Sequence, residues 1–444
     1  MGRHDAIRTP AFNGPAGWSV ILPPVPPRAR LEGQAGCDIA IVGGGFAGLS
    51  AARRLHQIDP GLRVVILEAA RISEGGTGRN SGFMIDLPHE LTSGDYAGAG
   101  DSHDQQLTRL NRQAIAFAAG IVEEFAIPEG YFQRAGKING AASDAGVAAN
   151  ESYARHLRDL GEAHERLDAR AMREITGSAY YRDGLYTPGT VMIQPAGYVQ
   201  GLAAGIERGG VTIHENSAAL RIEGTGQGWT VATAGGTLSA ERLILANNGH
   251  LESFGFKRGQ LMHIMLNACM TEELDPTALH ALGGRECWGI TPADPMGTTV
   301  RRIGPAQGGT HRDPQGGYYR PDATASRPGP PGRADAAQVR RPLSDAEGRA
   351  VPVQLVGAPV PGQKQRLGHA RAGAGALRGL RRQRAGHHAQ HLTGIGAAAA
   401  SAGKARAAAS WPHEAEPARL PPHPFDTIGA NAYLRWKEWQ TRLE

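Results

Sequence analysis

Cysteine, aromatic rings and long apolar runs are all scarce in this chain of 444 residues. The three cysteines, Cys37, Cys269 and Cys287, form no CxxC pair and no even framework, which argues against a disulfide scaffold or structural zinc and fits a reducing compartment. Redox chemistry, if the chain performs any, has to come from a bound cofactor, and no metal site is expected. No stretch of about 18 uncharged apolar residues occurs, so no membrane span is expected. The N-terminus lacks the basic-then-apolar order of a secretory signal and runs through Pro23, Pro24, Pro26 and Pro27; a cytoplasmic location is the expectation. What is present, 41% hydrophobic and 20% charged residues, reads as a globular chain long enough for two joined domains.

The net charge of +5 raises the question of an anionic partner. Residues 304–410 hold 16 lysines and arginines against 5 acidic residues, while the rest of the chain holds 31 against 37. The basicity therefore belongs to one segment. From about Gly304 to His391 that segment has no Phe or Trp and is dominated by Pro, Gly, Ala, Arg and His, with neither strand nor helix periodicity. Two readings stand: a disordered basic linker, or translation of a shifted frame of a GC-rich gene, which enriches these same residues. Without interleaved aromatics for base stacking, it gives little support to the rival reading of a nucleic-acid-binding protein, and no nucleic-acid partner is expected.

The strongest pattern lies near the start. Asp38-Ile39-Ala40-Ile41-Val42 reads as a buried parallel strand and runs directly into Gly43-Gly44-Gly45-Phe46-Ala47-Gly48, a GxGxxG turn in its required context. Gly43 permits the tight turn, Gly45 lets backbone amides approach a pyrophosphate, and Gly48 lets the following helix pack against the sheet. Leu49, Ala52 and Leu55 give that helix an apolar stripe. A second strand, Arg63 to Leu67, ends at Glu68, about 20 residues past the last glycine, where a carboxylate can accept hydrogen bonds from ribose hydroxyls. The unit predicts a dinucleotide site for NAD or FAD and disfavours NADP, whose 2′-phosphate Glu68 would repel.

A second glycine-rich loop follows, Gly75-Gly76-Thr77-Gly78-Arg79-Asn80-Ser81-Gly82. The order of strand, GGGFAGLSAA, strand, LEAARI and GGTGRNSGFM resembles the FAD-dependent D-amino-acid-oxidase-like superfamily, particularly its gamma-glutamylputrescine-oxidoreductase-like members. The resemblance implies FAD as cofactor, with Phe46, Ala47 and Ala69 at the fingerprint and Gly78, Arg79, Asn80, Ser81 and Gly82 against pyrophosphate and flavin. It continues through Ile193 to Tyr198 and through Val211 to Asn216. It also places Ala219 near adenine, and Ala246 and Asn247 at the turn that closes around the cofactor after the strand beginning at Leu243.

The implied fold is α/β: a GxGxxG-type FAD-binding nucleotide domain with an inserted mixed or antiparallel substrate domain and an irregular region near 304–391. The expected organisation is an N-terminal extension over 1–33, the βαβ unit and second loop over 34–95, and a helical insertion over 96–185. A return to the nucleotide domain over 186–255, substrate-side strands over 256–303, the irregular segment, and a C-terminal helix and tail over 392–444 complete it. The helical reading of the insertion rests on the spacing of Leu107, Leu110, Ala114 and Phe117.

The implied activity is oxidation of the C–N bond of a small amine or amino acid, with electrons passing through FAD to oxygen or another acceptor. A substrate carboxylate would want a bidentate arginine, for which Arg301 or Arg302 is available; adjacent strand residues face opposite ways, so at most one qualifies. His89 follows the second loop closely enough to approach the site. The family's late glycine-rich loop beside the flavin pyrimidine has no counterpart here, and that departure favours an alternative, an FAD-binding relic impaired in catalysis.

Overall fold

The computed structural model describes residues 2–12, 14–88, 101–261, 263–271, 276–293, 297–304, 310–313, 317–319, 355–365, 370–372, 376–378, 394–395, 397–398 and 420–440. The nucleotide sheet runs, in spatial order, Arg3–Asp5, Arg221–Gly224, Trp229–Ala232, Gly236–Leu245, Gly33–Val42, Val64–Leu67 and Thr212–His214. Its centre is parallel: Val42 lies opposite both Leu67 and Leu245. Ile39 through Val42 and Val64 through Leu67 are all buried, as parallel strands covered on both faces must be.

One face is covered by three helices, Phe46–Ile58, Asp101–Phe125 and Pro195–Arg208, whose Leu49, Leu55, Ile121, Leu202 and Ile206 join Ile39, Ile41 and Ile66 in the main core. The other face packs Ala40, Val42, Leu243 and Leu245 against Leu31, Leu251, Phe254 and Phe256. Gln194 caps the third helix, its side-chain oxygen accepting from the Gly197 amide at 2.7 Å, with Pro195 at the first helical position.

The second large sheet is mixed. Its order is Gly317–Tyr319, His263–Thr271, Thr310–Asp313, Thr299–Arg302, Trp288–Pro292, Lys137–Ala141, Asp183–Thr187 and Glu165–Asp168. Antiparallel pairs join its strands except where Ile290 runs parallel beside Ile138. A small sheet of Phe83–Met84, Val191–Ile193 and Phe132–Gln133 connects the two halves.

Two expectations are corrected by these pairings. The stretch 96–185 is not a purely helical insertion, because Phe132–Gln133, Lys137–Ala141, Glu165–Asp168 and Asp183–Thr187 are strands. The run Lys-Ile-Asn-Gly-Ala hides its strand character because all five residues are buried, so no alternation of polar and apolar positions survives. Within 304–391, whose composition lacks periodicity, Thr310–Asp313, Gly317–Tyr319 and Leu355–Gln365 pair with strands of the second sheet, and Ala376–Arg378 pairs with Gly236–Leu245. Backbone pairing needs no side-chain pattern, which is why composition alone missed them.

Candidate cofactor site

The site begins where the central strand ends. Gly43 has φ +108°, a conformation L side chains rarely adopt, and a Cβ there would lie 2.6 Å from the Ala246 carbonyl oxygen. Its amide donates to Leu67 O at 2.9 Å, while the Ala246 amide donates to Val42 O at 2.8 Å, so three strand ends converge on this turn. A Cβ on Gly48 would collide with the Gly43 carbonyl oxygen, so the close packing of helix on strand tolerates nothing larger. The helix begins after Gly45 with no side-chain cap, leaving its first amides for a ligand.

Glu68 braces the opposite wall. Its two carboxylate oxygens accept from the amides of Gly44 at 2.8 Å and Ala70 at 3.0 Å. Burial raises its pKa above the ordinary carboxylate value; the backbone donors of Ala70 and Gly44 oppose that rise and nearby Glu215 adds to it. The second glycine loop closes in from the side, with Thr77 Oγ1 2.8 Å from where a Gly45 Cβ would stand.

Between these walls lies a cavity of about 160 Å³. Of the residues named from sequence, Gly43, Gly45, Phe46, Ala47, Glu68, Ala69, Ala219, Ala246 and Asn247 all line it. Both amide atoms of the Asn247 side chain are buried without a hydrogen-bond partner among the described residues. A buried amide left unsatisfied is costly, and one on a cavity wall is matched by a polar ligand. Uncapped helix amides, a carboxylate and an orphaned amide around a glycine cradle form a donor and acceptor set that fits a dinucleotide's pyrophosphate and ribose.

The rest of the second loop is differently employed. Arg79, Asn80, Ser81 and Gly82 do not line the cavity. Arg79 is turned to the N-terminal segment, donating from Nη2 to Gly14 O at 2.6 Å and from Nε to Glu74 O at 2.8 Å, and burial lowers its pKa despite the charge of Glu74. Asn80 folds its own loop, with Oδ1 accepting from the Gly82 amide at 2.9 Å and Nδ2 donating to Thr77 O. Gly82 has φ +75° and sits against Arg301 and the Ile193 carbonyl, where any Cβ would clash. A Cβ on Gly78 would clash with Ser73 O.

Arg301 is fully buried, and its Nη1 donates to Ser81 O at 2.9 Å and Ile193 O at 2.8 Å. The guanidinium stacks over the Trp18 ring at 5.0 Å, and burial depresses its pKa. Arg302 points to the opposite face and donates to Gly283 O. Both arginines thus bind backbone carbonyls, because a buried guanidinium must find acceptors wherever the chain supplies them. His89 lies outside the described residues.

Sequence reasoning missed the contribution of the N-terminal extension, from which Arg8, Pro10 and Phe12 line the same cavity. No motif marks them; the proline-rich composition was the only local signal.

Together the glycine cradle and the two sheets define a dinucleotide-binding oxidoreductase fold, and the family model described as FAD dependent oxidoreductase (DAO) matches residues 38–353. The chain belongs to this family. It is 27% identical over 256 residues to "Probable oxidoreductase OrdL" of Rhizobium meliloti, covering 55% of this chain and 56% of that protein. It is 31% identical over 220 residues to "Gamma-glutamylputrescine oxidoreductase" of Escherichia coli, covering 48% and 50%. The chain therefore spans about half the length of the curated relatives it matches. Among solved structures, glycine oxidase from Geobacillus kaustophilus superposes with a TM-score of 0.61 at 18% identity, covering 81% of this chain and 93% of that one. L-Amino acid deaminase from Proteus myxofaciens does so with a TM-score of 0.65 at 14% identity, covering 91% and 96%. At such identities the likeness is one of fold.

Proposed function

We propose that this chain binds FAD in the cavity between its glycine loops and oxidises the C–N bond of a small amine or amino acid. The observation that carries the reading is the convergence on one cavity of the uncapped helix amides, the Glu68 carboxylate and an Asn247 amide without a partner among the described residues. When bound, FAD would supply the two-electron chemistry, accepting hydride from the carbon that bears the amine. The residues of this chain bind and orient. The amides following Gly45 favour the pyrophosphate charge, Glu68 accepts from ribose hydroxyls, and Asn247 gains the partner it lacks. Arg301 holds the second loop against the second sheet through Ser81 and the Ile193 carbonyl. Membership of the FAD dependent oxidoreductase family and the similarity to gamma-glutamylputrescine oxidoreductase support an amine or amino-acid substrate, with oxygen or another acceptor taking the electrons.

The test is the visible spectrum of the purified chain before and after anaerobic addition of a panel of amines and amino acids. Flavin bands that bleach with one class of substrate are expected, and admitting oxygen then separates an oxidase from a dehydrogenase. Bands that persist with every substrate would favour a binding protein without catalysis, and a chain that takes up no FAD would sink the reading.

A further inference from the structure

We propose that the N-terminal segment, through its residues 3–12 and 14–19, is a working part of the cofactor site: a strap across the mouth of the cavity that has to be displaced before FAD can leave. The inference rests on the reading of the cavity as an FAD site.

The strap is pinned on both sides of the cavity. On one side, Arg3–Asp5 extends the nucleotide sheet by pairing with Arg221–Gly224, His4 lying opposite Ile222. The amides of Ile7 and Arg8 then donate to Ser253 O at 3.0 Å and Ser253 Oγ at 2.8 Å, just beyond the turn that carries Asn247. On the other side, the Ala16 amide donates to Glu74 Oε2 at 2.7 Å and Trp18 Nε1 donates to Asn80 O at 2.7 Å, so both anchors lie on the loop that holds Gly75 to Gly78. Trp18 is itself only 2% exposed.

Between the anchors the chain crosses the opening. Arg8, Pro10 and Phe12 line the cavity together with Gly43 and Gly45. Phe12, 37% exposed, rests its ring 5.1 Å from the Arg79 guanidinium, and Arg79 also binds the strap's Gly14 carbonyl. This explains the position of Arg79, which serves the cofactor site by holding the strap down. Arg8 carries positive charge to the mouth of a site suited to a diphosphate. A ligand beneath a segment fastened at both ends is released only as fast as that segment opens, so the effect belongs chiefly to the off-rate.

Two measurements on the full chain test this. The first compares the rate of FAD release, followed by recovery of flavin fluorescence on dilution, between wild type and the double variant Arg8→Ala/Phe12→Ala, which leaves the Arg3–Asp5 strand and the Trp18 anchor in place. Release about tenfold faster in the variant is expected. The second uses wild type alone, so it does not depend on any variant folding: trypsin cleavage between Arg8 and Thr9, monitored by mass spectrometry, is expected to slow about tenfold when FAD is bound. A chain that holds FAD, yet releases it equally fast from both proteins and is cleaved at one rate with or without it, overturns the strap alone. A chain that takes up no FAD overturns the strap and the proposed function together.

Discussion

The nucleotide cradle and the buried face of the second sheet handle polar groups in opposite ways. The cradle removes side chains: Gly43, Gly44 and Gly45 bring bare backbone to the cavity, and the Asn247 amide on its wall lacks a partner among the described residues. The second sheet instead buries long charged side chains, Arg301 and Lys137, and surrounds them with protein acceptors. The difference teaches that charge is a poor guide to where a ligand goes in this molecule. The second-sheet charges are spent on the fold, whereas the Asn247 amide is left without a partner among the described residues.

The largest expected effect breaks the cradle by adding a side chain. Gly48→Val drives its Cβ into the Gly43 carbonyl and should cost about 4 kcal/mol or more, because neither strand end nor helix can retreat. A urea unfolding midpoint unchanged from wild type, with FAD uptake intact, would show that the helix does not need this close approach. Arg301→Met attacks the other region by leaving the Ser81 and Ile193 carbonyls without their donor, and is expected to destabilise the apoprotein by about 3 kcal/mol. If Arg301 were instead an anchor for a substrate carboxylate, KM would rise while the melting temperature stayed put.

Lys137 sharpens the comparison because its removal should help. The side chain is 2% exposed, donating to Asn139 Oδ1 and to Thr291 Oγ1 at 3.3 Å, and burial lowers its pKa from 10.5 to about 8, with Asp86 opposing. Between those values the unfolded chain binds more protons than the native one, so stability rises with pH across that window, and below it the whole penalty of the buried charge is present. Thr291 still satisfies Asn139 Oδ1 at 2.9 Å once the amine is gone. Lys137→Met should therefore gain about 2 kcal/mol at neutral pH and flatten the alkaline rise. Melting temperatures of both proteins from about pH 7 to about 10.5 check this; a variant that melts lower than wild type would mean the ammonium is net stabilising.

The two regions also differ in how far they could be read from sequence, for a physical reason. The cradle is written in neighbours: the strand, Gly43 to Gly48 and Glu68 fall within one βαβ unit, and backbone geometry demands glycine at the turn whatever the rest of the chain does. Arg79 was legible as a loop residue but not in its role, because its partner Gly14 lies 65 positions away. Arg301 meets Ser81 across 220 positions, and no local pattern announces such a pairing. Lys137–Ala141 failed to read as a strand because its polar residues are buried and satisfied inside the sheet, which erases the alternation that identifies a half-exposed strand.

The smallest effect tests whether the cradle's own carboxylate belongs to the fold or to the ligand. Glu68 has its pKa raised by burial, so above its ordinary value near 4.5 the native apoprotein holds a proton that the unfolded chain has released, and apoprotein stability falls as pH rises toward the raised value. Cofactor binding should run the other way, since an ionised carboxylate is the stronger acceptor for ribose hydroxyls, and FAD affinity should rise across the same interval. Glu68→Gln separates the two. With one acceptor oxygen where the carboxylate had two, it must abandon either the Gly44 or the Ala70 amide. It should bind FAD about tenfold more weakly and without pH dependence. Fluorescence titrations with FAD from about pH 5 to about 8 provide the check. An unchanged affinity with a lowered melting temperature would assign Glu68 to the turn alone, whereas the expected pattern makes it a charged group that, like the Asn247 amide, is held for the ligand.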